Sequence, residues 1–307
     1  MQTGQISYSM KKYLIPKLAK HQQIHRITNS FYTDYCKITG FLHVLPDFYI
    51  IGGQKCGTTS LFMYLAENPY INSAAVKDIR FFDKYFFKGV NWYKSYFPLK
   101  TQKYFQEKNL ECKSLTIDAT ERYLDHPHAA NRIKEVTPNA KFIILLRNPI
   151  DRAYSHYAMI KNRSNSGFEE KLSFEEAINE ESKRIDKEYD LMKNDQEYYS
   201  DMYFRFGYLH RGLYFEKLKK WTSVFDKKNF LIIQSEEFFK NTSEKYKQVL
   251  DFLELPKWEP KKFVHYKKRN IKQPNMNPQT REMLIEYFRP HNKKLYELLG
   301  KEFDWDK

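Results

Sequence analysis

Cysteine is scarce in this chain. Cys36, Cys56 and Cys112 are the three present in 307 residues, and none forms a C-x-x-C pair. A disulfide framework and a zinc cluster are therefore both excluded, and a reducing compartment is the simpler setting. Glycine (10) and proline (12) are also sparse, which argues against collagen-like, elastic or low-complexity sequence. No apolar run approaches 18 residues. Behind Lys11 and Lys12 there is no apolar segment long enough for a signal peptide or anchor, so a cytoplasmic address is expected. What the chain does have is 41% hydrophobic content, with Tyr and Phe at 24 each, enough for a substantial core. Its 52 Lys and Arg against 38 Asp and Glu give a formal charge of +14. That excess calls for a polyanion, a membrane surface or an anionic small molecule, and charge alone does not choose among them.

No internal repeat at a period of 20 to 50 residues is visible, which disfavours a solenoid or propeller. Residues 1–45 hold six Lys or Arg against one acid and read as a basic lead-in; a single domain is expected over 46–307. The run Phe48-Tyr49-Ile50-Ile51 stops at Gly52-Gly53, and Leu61, Tyr64 and Leu65 then recur at helical spacing, giving strand, tight loop and helix. Leu115-Thr116-Ile117 is a second strand ending at Asp118. Lys141 to Leu146 is the strongest strand signal, a nearly uninterrupted apolar run of the kind buried on both faces of a parallel sheet. It ends at Arg147-Asn148-Pro149, and Pro149 suits the first turn of the next helix. A further strand, Phe230 to Ile233, lies between helices around Leu213 to Trp221 and Ser243 to Leu253. Strands alternating with helices predict a three-layer α/β domain with a mainly parallel sheet, whose ligands bind beyond the carboxyl ends of the strands. Residues 161–207 read as a solvated excursion that contains a short helix at Phe174, Ala177 and Ile178 before the polar stretch Glu180 to Asp201, with an acceptor-side lid as the alternative.

The segment Gly52-Gly53-Gln54-Lys55-Cys56-Gly57-Thr58-Thr59 joins a strand to a helix, so its amides can surround a phosphate or sulfate. In a Walker A loop, lysine follows the second glycine directly; here Thr58 occupies that place and the lysine comes earlier, at Lys55. The strand ending at Leu146 is followed by Arg147, not by the aspartate that would help hold magnesium. Arg147 and Ser155 suit a second anion pocket. Two metal-free anion sites suggest a nucleotide phosphorylated at two separated positions.

These motifs resemble the sulfotransferases that use 3′-phosphoadenylyl sulfate, particularly the carbohydrate branch that includes heparan sulfate and bacterial enzymes. The resemblance runs over roughly 46–300. Residues 48–59 are similar to the family's 5′-phosphosulfate loop, Lys77-Asp78-Ile79-Arg80-Phe81-Phe82-Asp83 to its Lys-Glu-x-His-Phe-Phe-Asp motif, and residues 146–155 to its 3′-phosphate motif. Asn91-Trp92-Tyr93, Tyr96-Phe97-Pro98, Pro290-His291-Asn292 and 295–300 match further family segments. The resemblance implies a P-loop-type fold and sulfuryl transfer to a hydroxyl, or less readily an amine, of a glycan acceptor without metal, leaving adenosine 3′,5′-bisphosphate. Lys55 would contact the phosphosulfate and support the leaving oxygen, with Cys56, Gly57, Thr58, Thr59 and Ser60 completing the loop; Arg147 and Ser155 would take the 3′-phosphate.

Asp78 would be the base in place of the family's Glu. Arg80, where relatives carry His, would position Asp78 or an anionic substrate group. Asp118 and Thr120 would line the acceptor cleft, while Ala119 replaces a lysine some relatives use. Lys267-Lys268-Arg269 would cover the nucleotide, within a stretch, 257–294, of 11 Lys or Arg against 3 acids. His126 and His128 have no partners at metal spacing and read as ordinary polar residues. The resemblance also raises the Golgi lumen as an alternative address should an anchor have been removed. A basic nucleic-acid-binding protein and a P-loop kinase are the competing readings; the first lacks a recognisable binding module and the second its lysine.

Overall fold

The computed structural model describes residues 38–162, 169–264, 266 and 276–306. Five parallel strands, β1 (Phe48–Gly52), β2 (Ile71–Ser73), β3 (Leu115–Ala119), β4 (Lys141–Leu146) and β5 (Phe230–Gln234), form one sheet in the order β2-β3-β1-β4-β5. The described helices are α1 (Thr58–Glu67), α2 (Val90–Lys94), α3 (Lys100–Leu110), α4 (Ala129–Val136), α5 (Pro149–Lys161) and α6 (Phe174–Asn179). They continue with α7 (Glu181–Asn194), α8 (Asp201–Phe206), α9 (Tyr214–Val224), α10 (Ser235–Lys240), α11 (Thr242–Leu253) and α12 (Pro278–Leu299).

Side chains alternate across a strand, and here both faces are buried. Tyr49 and Ile51 of β1 join Phe142, Ile144 and Leu146 of β4 in one cluster, closed by Ala129 and Ile133 of α4 and by Leu218 and Trp221 of α9. Phe48 and Ile50 join Ile143 and Leu145 in the other, closed by Leu61 and Leu65 of α1 and by Val249 and Leu250 of α11. The result is the expected three-layer P-loop-type fold. Because β1 is flanked by β3 and β4, the loops that follow these three strands meet at the carboxyl edge of the sheet.

The excursion at 161–207 is more ordered than a solvated loop. Its described part contains α6, α7 and α8, which bury Phe174, Ile178, Ile185, Met192, Tyr203 and Phe204 against Ile150 and Ala153 of α5 and Leu284 and Phe288 of α12. On α7 a narrow stripe at Ile185, Tyr189 and Met192 faces this third cluster, a spacing of four then three residues in an otherwise charged helix. Two further elements had no strong sequence signal: the three-residue edge strand β2, and α3, none of whose residues is fully buried. No described helix is long and apolar enough to cross a membrane.

Candidate active site

The loop after β1 is fixed by backbone contacts. Gly53 N donates to Leu145 O of β4 at 2.6 Å, and Ser235 Oγ, at the start of α10, donates to Cys56 O at 2.9 Å. Gly57, the N-cap of α1, has φ 96°, and its lack of a side chain leaves the first turn without a side-chain cap. Uncapped amides at a helix N-terminus suit an anion. A Cβ at Gly57 would lie 2.8 Å from Phe239 Cζ. Gly57→Ala is therefore expected to destabilise the fold by about 1–2 kcal/mol from the left-handed backbone alone, with the clash adding to it; urea unfolding measures the loss. Thr58 and Ser60 are buried and Thr59 half-buried in the first turn. The Cys56 thiol is fully buried, and burial pushes it up to about 11, so its contribution to the loop is packing and backbone.

Lys55 sits at φ 70° on the outer turn of this loop, and its carbonyl accepts a hydrogen bond from Arg147 Nη1 at 3.4 Å. The two cation-bearing loops are thus in direct contact. Arg147 follows β4, and its own carbonyl is held by the Tyr214 hydroxyl at 2.9 Å. Asn148 then caps α5 through its side chain, accepting from Ile150 N at 2.9 Å, with Pro149 in the first turn. Ser155 lies half-buried in the second turn of that helix.

More positive charge lies behind these loops than the motifs suggested. Arg152 is 1% exposed; one guanidinium nitrogen donates to Tyr208 O, while Nε and Nη1 have no partner among the described residues. His156, one turn on, is buried, and burial followed by the fields of Arg211, Arg152, Arg122 and Lys55 pushes it well below its usual range, leaving it neutral. Arg211 is itself neutralised by Asp125, which also takes Lys217 at 2.8 Å, and Arg211 Nη1 donates to Gln54 Oε1 at 2.6 Å. That buried ion group ties the loop after β1 to the turn before α9.

The motif at 77–83 is anchored by its apolar members. Ile79, Phe81 and Phe82 are buried, the Phe81 ring stacks on Tyr93 at 4.5 Å, and Phe81 N donates to the Tyr123 hydroxyl at 3.1 Å. Asp78 and Arg80, at φ 62° and 63°, are the polar residues that alternate with those anchors. Asp78 N donates to Ala119 O at 3.1 Å, which fixes Asp78 beside the end of β3. Its side chain is 38% exposed and accepts from Lys77 Nζ at 3.1 Å, and the same ammonium bonds Glu121 at 3.0 Å. Burial, reinforced by the nearby Glu121 charge, pushes Asp78 up to about 7. Burial also works against the Glu121 charge, but the Lys77 ammonium prevails and holds that carboxyl well below the usual range.

Two sequence expectations are revised by this geometry. Arg80 does not pair with Asp78: its Nε donates to Asp83 at 3.2 Å and its guanidinium lies 4.8 Å from the Tyr199 ring centroid. Lys77 orients Asp78 instead. Asp118 and Thr120 do not face a cleft, since both are fully buried: Asp118 accepts from Tyr93 and Tyr123 hydroxyls at 2.8 and 3.0 Å and from Thr120 at 2.9 Å. All five residues of β3 are enclosed, so a carboxylate there is a structural hub. Lys267, Lys268 and Arg269 lie outside the described residues. Tyr266, just before them, is joined to α1, where its carbonyl accepts from Ser60 Oγ at 3.5 Å and its hydroxyl donates to Glu67 at 3.2 Å. Glu121, Gln54, Arg152 and Arg211 went unselected by sequence reasoning. Of these, Gln54 and Arg152 fall inside the motifs at 48–59 and 146–155 and Glu121 adjoins Thr120, whereas Arg211 is identified only by its tertiary contacts.

Two adjoining cationic loops at the carboxyl edge of a parallel sheet, with a basic carboxylate at the next loop and no metal-binding group among the described residues, describe a site for transferring an anionic group. The family profile for the sulfotransferase domain matches residues 45–305. This chain belongs to the sulfotransferase family. It is 28% identical to the membrane-associated sulfotransferase kil1 of Dictyostelium discoideum, over 87% of this chain and 68% of kil1. It is 30% identical to the bifunctional heparan sulfate N-deacetylase/N-sulfotransferase 1 of Caenorhabditis briggsae, over 70% of this chain but only 23% of that protein. A sulfotransferase from Alicyclobacillus acidocaldarius has the same fold, with a TM-score of 0.63 at 26% identity, covering 86% of this chain and all of that one. The chain is accordingly a sulfuryl-transferring enzyme, in a family whose donor is 3′-phosphoadenylyl sulfate.

Proposed function

We propose that this sulfotransferase moves the sulfuryl group of 3′-phosphoadenylyl sulfate to a carbohydrate hydroxyl, with an amine as the less favoured acceptor. The observation that carries the donor assignment is the Arg147 contact to the Lys55 carbonyl, which joins two cationic loops into one anion cradle. When bound, the donor supplies an activated sulfuryl group on a phosphate leaving oxygen. The α1 amides and Lys55 hold the phosphosulfate end, and Lys55 offsets the charge that grows on the leaving oxygen. Arg147 and Ser155 hold the 3′-phosphate, with the buried Arg152 behind them adding positive potential. Asp78, kept basic by its surroundings, accepts the acceptor's hydroxyl proton as the new oxygen–sulfur bond forms. Support for a glycan acceptor comes from the heparan sulfate relative, and the 38% exposure of the Asp78 side chain leaves it accessible to an acceptor hydroxyl.

Calorimetry with adenosine 3′,5′-bisphosphate in the absence of magnesium tests the donor site. Tight binding is expected, weakened about 10- to 100-fold in Arg147→Ala, as follows from losing a charge-assisted hydrogen bond worth about 1.5–3 kcal/mol. Absence of binding, or binding that needs magnesium, contradicts the reading. A labelled-sulfate transfer screen over a glycan panel then identifies the acceptor.

A further inference from the structure

Glu121 has no part in the donor or acceptor contacts above, yet it sits in the middle of the site. It follows β3 by two residues, and Lys77 Nζ bridges it to Asp78 with bonds of 3.0 Å to Glu121 and 3.1 Å to each Asp78 oxygen. Gln54 Nε2 approaches its other oxygen at 3.5 Å, and Gln54 is in turn held by Arg211. Two carboxylates therefore share one ammonium: Lys77 and Asp78 lie on the loop after β2, Glu121 on the loop after β3, and Gln54 on the loop after β1. We propose that Glu121 is a positioning residue for Asp78: the Glu121 carboxylate keeps its charge and makes Asp78 the more basic of the two, so that Asp78 is the member that receives the acceptor's proton.

The chemistry follows from the unequal surroundings. Glu121 takes Lys77, the Gln54 amide and the field of Arg122, while Asp78 has Lys77 and a side-chain hydrogen bond with Glu121, whose charge works against its own. Asp118, beyond Lys77, and Arg211, beyond Gln54, are further charged groups near the pair. Two like charges at this range cannot both ionise at the ordinary carboxylate pH, and the better-bonded member, here Glu121 with Lys77 and Gln54, ionises first. A base that titrates near neutrality gains most as a proton acceptor at neutral pH. During transfer the acceptor O–H bond breaks, its electron pair forms the oxygen–sulfur bond, and the proton goes to an Asp78 oxygen. Glu121 gains and loses nothing.

This inference rests on Asp78 as the base, and two readouts keep the ideas separate. Carboxyl carbon resonances of the full chain, carrying ¹³C-labelled aspartate, are followed with pH without donor or acceptor; the signal absent from Asp78→Asn is that of Asp78. In the unmodified chain it is expected to titrate well above about 3.9, and in Glu121→Gln its midpoint falls by about one pH unit or more. Glu121→Asp, which keeps the charge, should retain a raised midpoint. Glu121→Ser, a second neutral replacement, carries the same test if the glutamine variant does not fold. An unchanged Asp78 midpoint in a folded neutral variant overturns the proposal. If the midpoint moves as expected while Asp78→Asn still transfers sulfate to a desulfated heparan oligosaccharide, the pairing stands and the base assignment fails.

Discussion

Lys55→Ala is expected to lower the rate of sulfuryl transfer by about 10²- to 10³-fold, the loss typical of removing one donor aimed at developing charge. The argument turns on where Lys55 sits. It projects from a loop whose backbone is fixed on both sides, by the Gly53 bond to β4 and by the Ser235 bond to Cys56 O, so the remaining loop should keep its shape without the lysine side chain. The Arg147 contact is to the Lys55 carbonyl, which alanine retains. Binding of adenosine 3′,5′-bisphosphate, which lacks the sulfuryl group, should therefore fall far less than turnover. That separation marks an interaction strengthened in the transition state. Single-turnover transfer alongside calorimetry measures both quantities. A rate within a few-fold of the unmodified enzyme would remove Lys55 from the role assigned to it.

The parts of this architecture that were legible in the sequence are those in which one local pattern has one cause. β1 and β4 are buried on both faces and had to be continuous apolar runs, and Pro149 with Asn148 marked the start of α5. The loop at 52–59 and Arg147 were recognisable because an anion cradle needs glycine, a helix start and a cation in sequence order. α7 was not legible, because two apolar residues seven positions apart and one tyrosine are a thin stripe in a charged segment, and its stability comes from α5, α8 and α12. Asp118 shows the converse error. The resemblance implies a cleft contact for Asp118, yet one further residue of strand and two tyrosine hydroxyls enclose it. The Asp125, Arg211 and Lys217 group joins residues 86 apart in the chain and left no local signal at all.

Asp78→Asn is expected to reduce transfer by about 10²- to 10⁴-fold while leaving adenosine 3′,5′-bisphosphate affinity close to that of the unmodified chain. The amide is nearly the same size, its oxygen can still accept from Lys77, and its nitrogen can donate to Glu121, so the loop at 77–83 keeps its anchors at Ile79, Phe81 and Phe82. The pH dependence has a definite sign. Asp78 must be ionised to accept a proton, so kcat/KM of the unmodified enzyme should fall as pH drops below about 7, and this limb should vanish from whatever activity remains in the variant. Stability runs the other way. Folding raises the Asp78 pKa, so its contribution is fully present below about 3.9, the ordinary value, and is lost as pH rises through about 7. The asparagine variant carries no such charge, and its melting temperature relative to the unmodified chain should be higher at pH 8 than at pH 5. A group that is costly to ionise in the folded protein and necessary for transfer only when ionised would produce both trends at once; a surface aspartate would produce neither.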